Sequence, residues 1–132
     1  MKNKFVLFSF TLVSSLFILV QCAQGSGFKN ISVDELYEKV KKDGNIFILD
    51  VRTDNEYLND GHIKGSKLIP VQVIKERLSE INDNKNNEIY VICRSGGRSS
   101  NASEILFKKG FKKVYNVLGG MNAWKSKKYP ME

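Results

Sequence analysis

The sequence of 132 residues is poor in the side chains that most often bind metals. It contains one histidine, His62, and two cysteines, Cys22 and Cys93. A typical zinc site takes four nitrogen or sulfur ligands, and a set of this kind cannot be assembled once an amino-terminal leader with Cys22 is removed or modified. We therefore expect neither a metal nor another cofactor.

The sequence also lacks the interleaving of basic and aromatic residues that is typical of nucleic-acid-binding surfaces. Its 21 Lys and Arg against 14 Asp and Glu give a formal net charge of +7. The lysines are spread over several segments, as expected of solvated helix ends and loops. We expect no nucleic-acid partner, and the charge is compatible with an attraction for small anions.

The amino terminus has the pattern of a signal peptide. Lys2 and Lys4 precede an uncharged apolar run over residues 5–20. This run is shorter than the roughly 20 residues that a typical membrane-spanning helix needs. We therefore expect an exported protein, attached to the membrane through a lipid anchor at most.

Two processing sites stay open after this run. The segment Leu19-Val20-Gln21-Cys22 resembles a bacterial lipobox and would make Cys22 the lipid-modified first residue, although Gln21 stands where Gly or Ala is usual. Cleavage after Gly25 would instead leave a soluble periplasmic product. We favour the lipoprotein, anchored in a bacterial membrane and facing the periplasm, with residues 1–22 as signal peptide, 23–30 as a tether and 31–132 as the folded domain.

The most informative stretch is the loop 93–99, Cys-Arg-Ser-Gly-Gly-Arg-Ser, between an apolar run and a helix expected to begin near Ser99. Unpaired N–H groups and the positive end of a helix dipole meet at such a junction and favour an anion. Arg94 and Arg98 add positive charge, and Gly96 and Gly97 let the amides turn inward. We therefore expect an accessible thiolate at Cys93, because these surroundings lower the pKa of a cysteine.

The rest of the chain alternates between helix and strand patterns. Ser32 and Glu35 form a capping-box signature at the start of the first helix. Helices are predicted over 33–43, 54–59 and 71–81, from near Ser99 to Gly110, and after Gly119-Gly120, with strands over 46–49, 68–69, 89–92 and 113–117. This order indicates an α/β domain with a central, mostly parallel sheet and helices on both faces.

Four motifs follow one another along the chain: Asp50-Val51-Arg52 with Glu56, Gly61-His62-Ile63-x-Gly65-Ser66, Cys93-Arg94-Ser95-Gly96-x-Arg98-Ser99, and Gly119-Gly120-x-x-x-Trp124 with Tyr129-Pro130. With these motifs the chain from about Ile31 to Pro130 resembles a single-domain rhodanese, a sulfurtransferase, and residues 31–132 are assigned as a rhodanese-like domain on this basis. Lys64 stands where the family usually has proline, and Ser66 where it usually has alanine.

The resemblance implies a transferase of the thiosulfate:cyanide type that works through a persulfide on Cys93. The sulfur would come from thiosulfate or a persulfide and pass to cyanide or a thiol acceptor. The loop from Arg94 to Ser99, including Ser95, would stabilise the negative sulfur, and Arg94 would meet the anionic donor. These small molecules are the expected partners, and we expect a monomer.

The remaining motif residues are assigned supporting roles. Asp50 would orient the loop, and Arg52 would bind an anion or pair with Glu56. Arg98 would either bind substrate or hold the loop by pairing with an acidic residue. His62 would serve mainly in packing.

Two other functions remain open from the sequence. A phosphatase or arsenate reductase of the same fold also has a cysteine in an anion-binding loop, but with five residues between the cysteine and the arginine, whereas four separate Cys93 from Arg98. The second alternative is a module that binds or senses sulfane sulfur without turnover.

Overall fold

The computed structural model describes residues 27–132. The predicted signal peptide, with Cys22 and Gly25, lies outside the described residues. Within 27–132, none of the helices combines the length and the apolar character that crossing a bilayer requires.

In the described part of the chain, five strands form one sheet that is parallel throughout. In space they follow the order β1-β5-β4-β2-β3. The α/β fold with a parallel sheet, predicted from the sequence, is confirmed. The strands are β1 (Lys29–Ile31), β2 (Phe47–Asp50), β3 (Lys67–Leu68), β4 (Glu88–Ile92) and β5 (Lys113–Val117).

Three α-helices connect strands of this sheet and a fourth follows β5. They are α1 (Val33–Lys42), α2 (Asp54–Asn59), α3 (Gly97–Lys108) and α4 (Gly120–Ser126). Ser32 caps α1 with the predicted capping box, and Thr53 caps α2 in the same way. Each cap supplies partners for backbone N–H groups that a helix start would otherwise leave unpaired.

Apolar side chains cover both faces of the sheet, which explains the continuous apolar runs in β2 and β4. Along β4, Ile89 and Val91 pack on the face covered by α3, while Tyr90 and Ile92 pack on the face covered by α1 and α4. The register pairs Asp50 of β2 with Ile92 of β4. The segments that follow these two strands are therefore neighbours, and Cys93 lies beside the end of β2.

The prediction of one α-helix over 71–81 is wrong. The structure has two 3₁₀ helices there, Val71–Val73 and Leu78–Asn84. The apolar residues fall in two pairs with a spacing of three, which is also the repeat of a 3₁₀ helix. The second members of these pairs, Ile74 and Ile81, are buried as the spacing indicated.

Two starts also differ from the sequence-based ones by two residues, that of the folded domain and that of α3. Lys29 and Asn30, assigned to the tether, form β1 with Ile31 and pair with Tyr115 and Asn116. Lys29 and Asn30 are exposed and polar, and only Ile31 is buried; three residues are too few to show strand periodicity, so this edge strand gave no signal. The helix expected near Ser99 begins earlier, at Gly97.

Candidate active site

The loop after β4 is shaped by a glycine in the left-handed region. Gly96 has φ +108° and directly precedes α3. A Cβ at this position would lie 3.4 Å from the backbone nitrogen of Gly119. This is an ordinary van der Waals distance, so it is the backbone conformation that disfavours a side chain at this position.

Backbone amides surround the sulfur of Cys93. The Gly96 N–H donates to Sγ at 3.1 Å, and the amides of Ser95 and Ser99 also face the sulfur. Burial raises the pKa of the Cys93 thiol, but the hydrogen bonds that a thiolate can accept from Ser99 and from the amides of Gly96 and Ser95 outweigh it and bring the pKa below the ordinary value. The loop therefore favours an anionic sulfur.

The sulfur is more enclosed than the sequence analysis expected. Cys93 is 1% exposed, and its inner side packs against the apolar cluster that includes Ala102. Arg94, Ser95 and Gly97 are exposed at the outer side of the loop. A donor therefore has to reach the sulfur past this rim.

The first amides of α4 hold the loop from the other side. The Met121 N–H donates to the Cys93 carbonyl at 2.8 Å, and the Asn122 N–H donates to the Arg94 carbonyl at 2.9 Å. Because the C=O and N–H of a trans peptide point in opposite directions, the bond to the Arg94 carbonyl directs the Ser95 N–H toward the sulfur. Helix α4 thus sets the orientation of the loop amides.

Arg98 is paired with Glu56 rather than free in the loop. Its Nη1 and Nη2 donate to Oε2 and Oε1 of Glu56, both at 2.7 Å. The bidentate bond to Arg98, joined by bonds from Thr53, holds the pKa of Glu56 at about 2 despite the opposing effect of burial. Of the two roles considered for Arg98, this geometry fits holding the loop, because it ties α3 to α2.

Arg52 and Asp50 form a buried ion pair at the end of β2. Arg52 is 1% exposed, and its Nη2 lies 2.7 Å from Asp50 Oδ2. Other N–H groups of its guanidinium reach the carbonyls of Gly61 and Glu56. Arg52 is therefore buried with four of its five side-chain N–H groups engaged and is not available to a substrate anion. Its carboxylate partner is Asp50 rather than Glu56, and Asp50 bonds to Arg52 rather than to the loop.

His62 packs away from the sulfur. Its ring stacks on Tyr57 with centroids 3.8 Å apart, and Nδ1 lies 3.1 Å from the Tyr57 carbonyl, so Nδ1 carries the proton. Its backbone N–H and C=O bond to Glu132. These contacts agree with the packing role.

Arg94 is the exposed cation of the loop. Among residues 27–132 it forms no ion pair, in contrast to Arg52 and Arg98. Its guanidinium is thus available to an anion that approaches Cys93.

The sequence analysis missed two polar residues that are linked to Ser99, namely Asn116 and Asn30. Asn116 on β5 accepts a hydrogen bond from the Ser99 hydroxyl at 2.6 Å, and its own amide donates to Asn30 on β1 at 2.9 Å. A polar residue at a buried strand position is the signal that could have identified Asn116, because such a residue needs a partner.

A cysteine held by inward-facing amides at the carboxyl edge of a parallel α/β sheet defines a class of proteins that perform chemistry on an anionic sulfur. The model of one such family, the rhodanese-like domain, matches residues 32–127. The chain therefore belongs to the rhodanese-like family.

The relatives share this domain. The chain is 43% identical over 102 residues to the putative sulfur carrier protein YrkF of Bacillus subtilis, covering 77% of this chain and 54% of that protein, so it spans about half the length of this relative. It is 39% identical over 102 residues to the putative sulfurtransferase YtwF of the same organism, covering 77% and 95%. The crystal structure of a rhodanese-like domain protein from Staphylococcus aureus is 41% identical, covers 73% of this chain and 90% of that chain, and has a TM-score of 0.66.

Proposed function

We propose that this protein is a sulfurtransferase that carries sulfane sulfur as a persulfide on Cys93. The observation that carries the proposal is the set of amides from Ser95, Gly96 and Ser99 around a buried sulfur. The family and the names of the relatives, a sulfur carrier and a sulfurtransferase, support the same general activity.

In the first half of the cycle, the Cys93 thiolate attacks the outer sulfur of thiosulfate. The new S–S bond forms as the bond to the sulfite sulfur breaks, and sulfite leaves with that electron pair, so Cys93-S⁻ becomes Cys93-S-S⁻. The charge on the loop is one negative both before and after the step. The same amides can therefore stabilise the thiolate and the persulfide.

In the second half, a nucleophile attacks the outer sulfur of the persulfide. Cyanide leaves as thiocyanate, and a thiolate acceptor leaves as a new persulfide. In either case the electron pair of the broken S–S bond returns to Cys93. The exposed guanidinium of Arg94 is placed to attract both the anionic donor and an anionic acceptor.

The pairing of Arg98 disfavours the alternative of a phosphatase or arsenate reductase. Four residues separate Cys93 from Arg98, and both ends of the Arg98 guanidinium are bonded to Glu56. A tetrahedral phosphate would have to displace this carboxylate to gain a bidentate contact. A single terminal sulfur needs only the amides.

Intact-mass measurement of the purified protein tests the proposal. Incubation with thiosulfate is expected to add the mass of one sulfur atom, and cyanide is expected to remove it with formation of thiocyanate. Cys93→Ser is the matched control, since it exchanges one atom and should not load. Failure to load from thiosulfate and from a glutathione persulfide would refute the proposal.

The same samples separate the alternatives. Loading without release to cyanide or to a thiol would identify the sulfur-sensing module instead. Hydrolysis of an aryl phosphate faster than turnover of thiosulfate would identify the phosphatase. Turnover that passes sulfur from thiosulfate to cyanide is the expected result.

We also propose that the mature protein is exported and carries a lipid on Cys22. The basic start, the apolar run and the lipobox-like segment support this proposal. Mass spectrometry of the amino-terminal peptide from cells is expected to show an acylated Cys22, whereas a peptide that starts at Ser26 would show cleavage after Gly25.

A further inference from the structure

A chain of polar side chains leads from the sulfur into the edge of the sheet. The Ser99 Oγ lies 3.4 Å from Cys93 Sγ and 2.6 Å from Asn116 Oδ1. The Asn116 Nδ2 donates to Asn30 Oδ1 at 2.9 Å. Ser99 is 0% exposed and Asn116 is 3% exposed, so water does not compete at these two positions.

The Ser99 hydroxyl has one proton and three neighbouring acceptors. These are Asn116 Oδ1 at 2.6 Å, the Gly96 carbonyl at 3.1 Å and Cys93 Sγ at 3.4 Å. The contact to Asn116 is the shortest. The bond from Asn116 Nδ2 to Asn30 keeps Oδ1 turned toward Ser99, because the two ends of an amide cannot exchange without breaking both bonds.

In this arrangement Ser99 presents a lone pair, not a proton, to Cys93. A lone pair can accept from a protonated thiol but gives nothing to a thiolate or a persulfide. For the hydroxyl to donate to an anionic sulfur, it must turn away from Asn116. The buried Oδ1 would then lose its donor, which costs free energy.

The charged groups around the sulfur are each engaged or exposed. Arg98 on α3 is bound to Glu56 of α2, and Arg52 is bound to Asp50 at the end of β2. Arg94 is exposed in the loop. From β5 and the start of α4, the neighbouring residues are uncharged. The Ser99 hydroxyl is thus the nearby donor whose orientation is set by an uncharged residue, Asn116.

We propose that Asn116 is a positioning residue: while the sulfur is uncharged, the Ser99 hydroxyl donates its proton to Asn116 and not to Cys93. The proposal deepens the proposed function and rests on it. Asn116 then limits how strongly the loop stabilises an anionic sulfur. The atom concerned is Sγ, which is negative as the thiolate and which receives the electron pair when the persulfide gives up its outer sulfur.

The test follows the rate of alkylation of Cys93 by iodoacetamide against pH, measured by mass on the peptide that contains Cys93. Asn116→Leu keeps the branched shape of the buried side chain and removes its acceptor. In this variant the midpoint of the alkylation rate against pH is expected to fall by about one pH unit. The reason is that the Ser99 hydroxyl can donate to the thiolate without having to give up a bond to the side chain at position 116. Sulfur release to cyanide is expected to become faster in the same variant, because the electron pair of the broken S–S bond goes to Sγ.

Asn30→Ala provides a second variant that leaves the core unchanged, since Asn30 is exposed. It frees the Asn116 amide to turn, and a smaller fall of the midpoint is expected. The double variant Ser99→Ala with Asn116→Leu is expected to have the same midpoint as Ser99→Ala alone. A purely structural effect of Asn116 would not depend on the Ser99 hydroxyl.

Each outcome decides the inference. A midpoint that stays the same or rises in both Asn116→Leu and Asn30→Ala would overturn it. So would a shift caused by Asn116→Leu that is equally large with and without the Ser99 hydroxyl. If Asn116→Leu does not fold, Asn30→Ala decides alone. Loss of the proposed function is seen separately, as failure of the unaltered protein to take up sulfur from thiosulfate.

Discussion

Replacing Gly120 by alanine should damage both the stability of the fold and the Cys93 loop. Gly120 has φ +54°, and an added Cβ would lie 2.3 Å from the Cys93 carbonyl oxygen and 2.7 Å from the Arg94 carbonyl carbon. Both atoms belong to the backbone, so they cannot turn aside as the end of a side chain can. Either the loop or the start of α4 must move.

The magnitude follows from two costs. A left-handed conformation costs a residue with a Cβ about 1–2 kcal/mol. Forcing the neighbouring backbone to shift adds about 1–3 kcal/mol, as in other overpacked sites. The free energy of unfolding is therefore expected to fall by about 2–5 kcal/mol, which is a large part of the 5–15 kcal/mol typical of a native domain.

Gly65→Ala is the matched control. Gly65 also has a positive φ, +75°, but nothing lies within 4 Å of its added Cβ. It carries only the conformational cost, so urea unfolding should show Gly120→Ala to be less stable than Gly65→Ala by about 1–3 kcal/mol. Equal losses in the two variants would refute the steric argument.

The loop provides a second measurement on the same variants. Displacement of α4 would weaken the hydrogen bonds from Met121 and Asn122 that turn the loop amides inward. The pKa of Cys93, measured by alkylation against pH, is expected to rise in Gly120→Ala and to stay unchanged in Gly65→Ala. A normal pKa in a destabilised Gly120→Ala would show that α4 supports the fold without orienting the loop.

Two further predictions concern the charges of the site. Glu56→Gln should lower the free energy of unfolding at pH 7 by about 1.5–3 kcal/mol, as measured by urea unfolding, because it breaks a charged hydrogen-bonded pair. The pKa of Glu56 is lowered from 4.5 to about 2 on folding, so its contribution is complete above pH 4.5 and is lost as the pH falls toward 2; a Gln variant with the same acid profile as the unaltered protein would contradict this. Arg94→Ala should raise the KM for thiosulfate about tenfold and reduce its salt dependence, since it removes the exposed cation of the loop. Lys109→Ala removes an equal charge at the other end of α3, and an equal rise of KM in that variant would show that net charge alone acts.

Local patterns were sufficient to predict four of the five described strands, β2 to β5, and the cysteine loop. The continuous apolar runs of β2 and β4 reflect burial on both faces, and Ser32 with Glu35 carries its signal within four residues. The position of Cys93 at the end of β4 also follows from the order of the elements. These features depend on neighbours in the chain, and therefore a sequence displays them.

The partners around the sulfur could not be predicted in the same way. Arg98 and Glu56 are 42 residues apart, and Ser99 and Asn116 are 17 apart, so no local spacing connects them. Their pairing depends on how α2 and β5 are placed beside the loop. The sequence named Arg98 and Glu56 as separate motif residues, and the fold decides that they bind each other.

The parallel direction of the strands has a consequence for how the protein can be attached to a surface. Lys29 begins β1 beside Tyr115, which pairs with Tyr90, so β1 starts level with the middle of β4. Three residues separate Tyr90 from Cys93, which is roughly 10 Å at about 3.3 Å per residue. Because β1 runs in the same direction as β4, a support or a fusion partner joined before residue 27 is attached to the end of β1 that points away from the Cys93 loop.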